Sequence, residues 1–304
     1  MATEAKNKWR PAGRSGARAF TLTEMLIAMG IMGIGLTMVS AMFPAAIKQQ
    51  SLTFQDTIGL QICNNGLAIA KSSPSLRYPA CDGSHARLLL GEWFKNGAAP
   101  NANWDPDQWK GHYAYVPDAS GQPAFAKITG NTKNTITVPG SSAAEGHVLG
   151  YAEAVDNSYN SGGSASFGSI VLCRPLCGQP PANVYQFAAI SYRKFNPASK
   201  VIVVPVQATV VLNDEQHITV VPTPDGVGLV LGTPVIVLNT GDFAYVDKIE
   251  AVDAAGAGTK GRLTQPLPAM TLKWVAIVVE EYVTYRSPVL SVLISQGATR
   301  RITP

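Results

Sequence analysis

The chain has 304 residues, 46% of them hydrophobic and 14% charged, enough to bury an ordinary core in one large domain or two small ones. Its net charge of +4 comes wholly from Lys6, Lys8, Arg10, Arg14 and Arg18 set against Glu4, and everything after Ala19 sums to zero. That balance argues against a nucleic-acid partner, and the 21 prolines and 28 glycines predict much loop and many short strands.

The first predicted element is apolar. From Met25 to Ile47 run 23 residues without a formal charge, long enough for a helix to span a hydrocarbon core. The basic stretch before it belongs on the cytoplasmic side, which puts the rest of the chain outside the cytoplasm. A secretory signal has a shorter apolar region and small residues at its cleavage site, whereas around "MFPAA" Phe43 or Pro44 stands where a small residue is wanted. A plain anchor has no need of Glu24, because a lone carboxylate in lipid is costly and implies a partner.

The stretch "RAFTLTEMLIAMGIMGIGL" resembles the N-terminal cleavage and methylation motif of type IV prepilins and type II secretion pseudopilins. The resemblance implies a leader peptide of residues 1–19, cut between Ala19 and Phe20 by a prepilin peptidase, with N-methylation of the new amino terminus on Phe20. It also implies an assembly role for Glu24, which stands at the fifth mature position, where the family characteristically carries Glu. In a staggered helical assembly that carboxylate would meet the Phe20 amine of a neighbour, and the pair would fix register because a shifted subunit leaves a buried charge alone. Ala19 departs from the glycine most often found before the cut, and Pro44 falls a few residues later than the family's helix-distorting proline. The "GIMGIGL" continuation is similar to minor pilins and minor pseudopilins. Implied partners are the peptidase, other pilin or pseudopilin subunits, a platform membrane protein with its cytoplasmic assembly ATPase, and the lipid bilayer. The implied location is the inner, cytoplasmic membrane, crossed once, with the head outside and carried to a pilus or the cell surface after assembly.

Gly30, Gly33 and Gly35 lie in the span, where small residues let helix backbones approach closely. Beyond Pro44 the pattern continues as a more polar helix with Phe54, Ile58, Ile62 and Leu67 on an apolar stripe, predicting helix from about Thr21 to about Ala70 and a helical region over 20–72. The segment from Pro74 to His112 reads as irregular, with Trp93, Trp104 and Trp109 anchoring a long loop onto the head. Strand candidates follow at Tyr113 to Val116, Ala124 to Thr129 and Thr135 to Val138, and then "VDNSYNSGGSASFG" reads as a flexible surface loop. A stronger set covers Val184 to Arg193, Val201 to Leu212, His217 to Val221, Pro234 to Leu238, Phe243 to Val252, Gly261 to Thr264, Trp274 to Glu280 and Pro288 to Ile294. The expected fold is α+β: a long pilin-like helix, then an antiparallel β-rich head. A break at "LCGQPPA" offers a boundary between head regions 73–178 and 179–304, the second being either an elaboration of the first or a separate module.

Chemistry is sparse. Cys63, Cys81, Cys173 and Cys177 allow three complete pairings, and an oxidising compartment favours a structural disulfide or two over buried thiols. Their spacing is not that of a zinc site, so no metal and no cofactor is expected. Asn103, Asp105 and Asp107 offer hard oxygens but fail the twelve-residue calcium-loop pattern. His217, beside Asp214 and Glu215, reads as a solvated turn, and His112 as a loop or edge position. No phosphate loop, nucleophile elbow or HExxH motif appears. The expected function is non-enzymatic and structural, against two rivals: a membrane-tethered binding module of adhesin type using the tryptophans, and an extracytoplasmic hydrolase using His217 or His112 with carboxylates in a cleft.

Overall fold

The computed structural model describes residues 20–72, 88–91, 93–95, 97–99, 104–116, 124–139, 145–155, 167–176, 184–196, 199–212, 214–221, 228–252, 259–281, 283 and 287–298. Among the described residues one helix, α1 (Leu22–Ser72), precedes sixteen strands. The first seven are β1 (Trp93–Lys95), β2 (Tyr113–Tyr115), β3 (Phe125–Lys127), β4 (Gly130–Asn131), β5 (Ile136–Thr137), β6 (Glu145–Val148) and β7 (Tyr151–Val155). Next come β8 (Phe167–Pro175), β9 (Val184–Arg193), β10 (Val201–Val210), β11 (His217–Val220) and β12 (Pro234–Val237). The last are β13 (Phe243–Val252), β14 (Thr259–Leu263), β15 (Met270–Glu280) and β16 (Val289–Ala298).

The chain divides into two compact units, Met1–Phe54 and Gln55–Pro304. In the first, the described residues are helical from Leu22 and run on through Pro44, which has no N–H to give the preceding turn. Its large apolar side chains, from Phe20 through Met32 to Phe54, are all exposed.

In the second unit, the end of α1 lies on a four-stranded antiparallel sheet of order β16-β9-β8-β7. The buried positions Ile58, Ile62, Cys63, Leu67 and Ala70 follow helical spacing, and Gly59 and Gly66 share that face. A Cβ on Gly59 would stand 3.1 Å from Leu290, Ser191 and Ser291 atoms, and one on Gly66 would stand 2.4 Å from Ser169 Oγ. Helix and sheet therefore touch backbone to side chain at two points two turns apart.

The period of two along β8 and β9 puts that sheet between two cores. Val171, Cys173, Phe187 and Ala189 pack with Cys63, Leu67 and Ala70 of α1. Their alternates Ile170, Leu172, Ala188 and Ile190 join the main core, made largely of barrel residues such as Val204, Ile218, Ile236, Val246 and Ile277.

That barrel is closed, in the order β10-β11-β14-β13-β12-β15. Closure is made by β10 pairing with β15, from Val201 opposite Glu280 to Val210 opposite Met270. A bulge between Ala208 and Val210 interrupts the register, and Leu272 beside it takes a φ of 45°. Closing the sheet removes its open edges.

A third layer, of order β1-β6-β2-β3, repeats the alternation. Tyr113 and Tyr115 of β2 enter the main core, while Ala114 and Val116 enter a small core with Trp104, Trp109, Phe94 and Ile136.

Polar latches join these layers. The Arg174 guanidinium donates to Gln186 Oε1 at 2.5 Å, to the Asn239 carbonyl and to the Thr240 carbonyl at 2.6 Å, tying β8 to the β12–β13 turn. Glu280, 2% exposed, accepts the amides of Phe195 and Asn196 at 2.8 Å each and the Ser199 hydroxyl, which fixes the connection from the sheet into the barrel. Lys200 Nζ donates to the carbonyls of Asp107 at 2.8 Å and Lys110 at 3.2 Å, holding the tryptophan segment to β10.

The α+β expectation holds, with a closed barrel inside the β-rich region. The strand expected over Val184 to Arg193 and that over Phe243 to Val252 have the observed bounds. Of the surface loop expected over 155–168, residues 156–166 lie outside the described residues, and Phe167 and Gly168 instead open β8.

Candidate functional site

Thr21 and Glu24 form a reciprocal cap on α1. The Glu24 amide donates to Thr21 Oγ1 at 3.2 Å, and Glu24 Oε2 accepts the Thr21 amide at 2.9 Å and the Thr21 hydroxyl at 3.0 Å. This is the capping box that Thr-x-x-Glu encodes, and it satisfies amides that the first helical turn leaves without partners. A carboxylate in the first turn is also favoured by the helix dipole. The acid that needs a partner in lipid thus has one in its own chain. The sequence reading missed this cap, and the Thr-x-x-Glu spacing is the signal that could have found it.

Phe20 is 79% exposed, and Ala19 lies outside the described residues. Along the helix, Gly30, Gly33 and Gly35 meet nothing within 4 Å. Their helix-propensity cost, ~1 kcal/mol each relative to alanine, therefore has no packing return within this chain. Thr37 turns its hydroxyl back onto the carbonyls of Gly33 at 3.0 Å and Ile34 at 2.8 Å, which satisfies it in apolar surroundings. By length and composition α1 can cross a membrane, and none of its apolar window is buried.

Residues 14–40 match the family model described as Prokaryotic N-terminal methylation motif. This is the signature of the type IV pilin and pseudopilin group, and here it sits on a single long apolar helix followed by a β-rich head. No curated protein and no solved structure matches the chain.

The other residues singled out in the sequence separate clearly. Trp104 and Trp109 are 6% and 4% exposed and meet edge to face at 6.3 Å, so they anchor their segment as expected and present no aromatic groove. The Trp93 side chain lies outside the described residues. Asp107 pairs with Lys110 at 3.8 Å, and among the described residues no cluster of three or more His, Cys, Asp or Glu is placed to hold a metal.

Cys63 is a buried thiol, not half of a disulfide. It is enclosed between α1 and the sheet, with Sγ 3.4 Å from the Ala189 carbonyl oxygen and 3.7 Å from that of Ser291. Cys173 is buried in β8, and Cys81 and Cys177 lie outside the described residues.

His112, expected at a loop or edge, is 7% exposed and stacks edge to face on Trp109 at 5.3 Å. Burial pushes its imidazole down to about 3, with Lys200 and Lys194 adding repulsion. It is held neutral as part of the packed interior.

His217 does meet carboxylates, but on the outward face of the barrel. Nδ1 contacts Asp214 Oδ1, and Nε2 lies 3.3 Å from Glu250 Oε1. With both ring nitrogens facing carboxylates, neither is placed to take a proton from a nucleophile, as a hydrolase would require.

Proposed function

We propose that the chain is a structural, non-enzymatic subunit of a type IV pilus or type II secretion pseudopilus, inserted in the membrane and then assembled through α1. The observation that carries this reading is the motif match at residues 14–40, with Glu24 standing fifth from Phe20. On this account residues 1–19 are a leader removed by a prepilin peptidase, Phe20 is N-methylated, and residues 20–72 form the membrane and filament helix. Regions 73–178 and 179–304 make the extracytoplasmic head. Support comes from the exposed apolar surface between Phe20 and Phe54 and from the open glycines, both of which suit close helix approach.

Glu24 is the assembly contact. Oε2 is taken by Thr21, and the carboxylate can still accept a neighbour's amine through Oε1. The layered head is bulky for dense repetition, which favours a minor subunit. The platform protein and its ATPase supply the work of assembly.

The test is site-specific photo-crosslinking from position 36 of the full chain in cells that hold the assembly machinery. A ladder of adducts with pilin-like subunits that disappears in Glu24→Gln, while the variant stays in the membrane, supports the reading. A ladder indifferent to Glu24→Gln, or none, contradicts it.

A further inference from the structure

Where the tryptophan segment packs on the rest of the head there is a cavity of about 10 Å³. It is lined by Gln108, Trp109 and His112 of that segment, by Leu149 and Gly150 after β6, by Ile170 of β8 and by Val201 of β10. The volume is that of a single water and leaves no room for an organic ligand.

Two of the lining side chains carry polar atoms that the chain itself does not satisfy. Trp109 is 4% exposed, and its indole Nε1–H is buried with no hydrogen-bond partner. His112, 7% exposed, meets Trp109 edge to face with ring centroids 5.3 Å apart. Among the described residues its ring nitrogens take no hydrogen bond. Buried polar groups are paired in nearly every native interior, so two orphans side by side on one cavity call for a common partner.

The chemistry of the two rings says what that partner is. An indole nitrogen only donates, whereas the imidazole, held neutral by burial, has one N–H and one lone pair. A molecule between them has to accept from the indole and donate to the lone pair. Water does both at the size of this cavity. Gly150 lines the same space with backbone, since it has no side chain, and Gln108 adds a carboxamide, so the about three bonds that a buried water makes are within the lining set.

We propose that the cavity is the seat of one structural water that bridges the Trp109 indole N–H to the His112 imidazole. The bridge fixes the orientation of both rings in the segment that Lys200 holds to β10. It stands on the head alone and does not depend on assembly.

Nuclear magnetic resonance of the full chain in detergent micelles, with the indole nitrogens isotopically labelled, tests this. The Trp109 N–H, assigned by its loss in Trp109→Phe, should give NOE and ROE cross-peaks to water of opposite sign, the mark of a long-lived contact as distinct from proton exchange. Both cross-peaks should be lost in His112→Phe, which keeps an aromatic ring against Trp109 but has no acceptor. The unmodified chain is read first, so a folding defect in the variant cannot hide the answer. No long-lived water at Trp109 in the unmodified chain would leave the indole N–H on the imidazole face and overturns the bridge. Full cross-peaks in His112→Phe, or movement of the Trp109 resonance on adding chloride, overturn it as well.

Discussion

Gly66 of α1 lies over Ser169 of β8, so closely that a Cβ at position 66 would fall 2.4 Å from the serine hydroxyl oxygen and 3.3 Å from Val171 Cγ2. That contact sets the depth at which the helix seats on the sheet. Gly66→Val should lower head stability by about 1–3 kcal/mol through overpacking, read as a shift in the denaturation midpoint. The Ser169 hydroxyl is buried without a hydrogen-bond partner, so Ser169→Ala should leave stability unchanged or raise it by about 1 kcal/mol. A substantial loss in Ser169→Ala would mean the hydroxyl is bonded in solution.

How much of this was legible in the sequence depends on how local the cause is. The helix was, because its apolar run and the stripe through Ile58, Ile62 and Leu67 are near-neighbour patterns. So were β9 and β13, whose branched residues lie between clear turns. Strand β8 was not: it opens on Phe167-Gly168-Ser169, which reads as the tail of a glycine-serine loop. Its small residues answer to distant ones. A Cβ on Gly168 would meet the Tyr192 hydroxyl at 2.4 Å, and Ser169 lies under Gly66. Barrel closure was equally hidden, since Val201 pairs with Glu280 across most of the barrel sequence. At the N-terminal site, the sequence reading looked for a Glu24 partner in another subunit and did not read the local cap that Thr21 forms with it. Cys63 was read from compartment chemistry, whereas its burial against Ala189 and Ser291 depends on tertiary packing.

Acid should weaken the head through His112. Its folded-state value is depressed to about 3 by burial, so unfolding takes up a proton once the pH is below the ordinary histidine range. The stability that neutral His112 carries is complete above ~6.5 and is lost as pH falls towards 3, at up to ~1.4 kcal/mol per pH unit. Denaturant unfolding of the wild type and His112→Gln, compared at neutral pH and at about pH 4.5, should show the excess acid loss in the wild type alone. Parallel loss in both would assign it to other groups.

Glu280 should be among the costly polar positions. Its carboxylate serves the amides of Phe195 and Asn196 and the Ser199 hydroxyl, and Glu280→Ala leaves all three without that acceptor. A loss of about 3 kcal/mol is expected, with Glu280→Gln intermediate because one acceptor oxygen remains. Exchange protection at the Phe195 and Asn196 amides should fall together in Glu280→Ala, and unchanged protection there would contradict the latch.

Burial pushes the Cys63 thiol above its ordinary value, so the folded chain holds less thiolate at a given pH than an exposed cysteine would. Iodoacetamide at neutral pH should leave Cys63 unmodified in the folded protein and alkylate it on denaturation, as peptide mass mapping can report. The raised value also means that this group's contribution to stability is full below the ordinary thiol range and is lost as pH rises through the folded value. Rapid alkylation of the folded chain would show that α1 does not stay on the sheet.

The most direct measurement is the intact mass and N-terminal sequence of the chain recovered from native membranes. The account predicts a protein that begins at methylated Phe20, with residues 1–19 removed. An uncleaved amino terminus, or one created after Ala45 or Ala46, would contradict it.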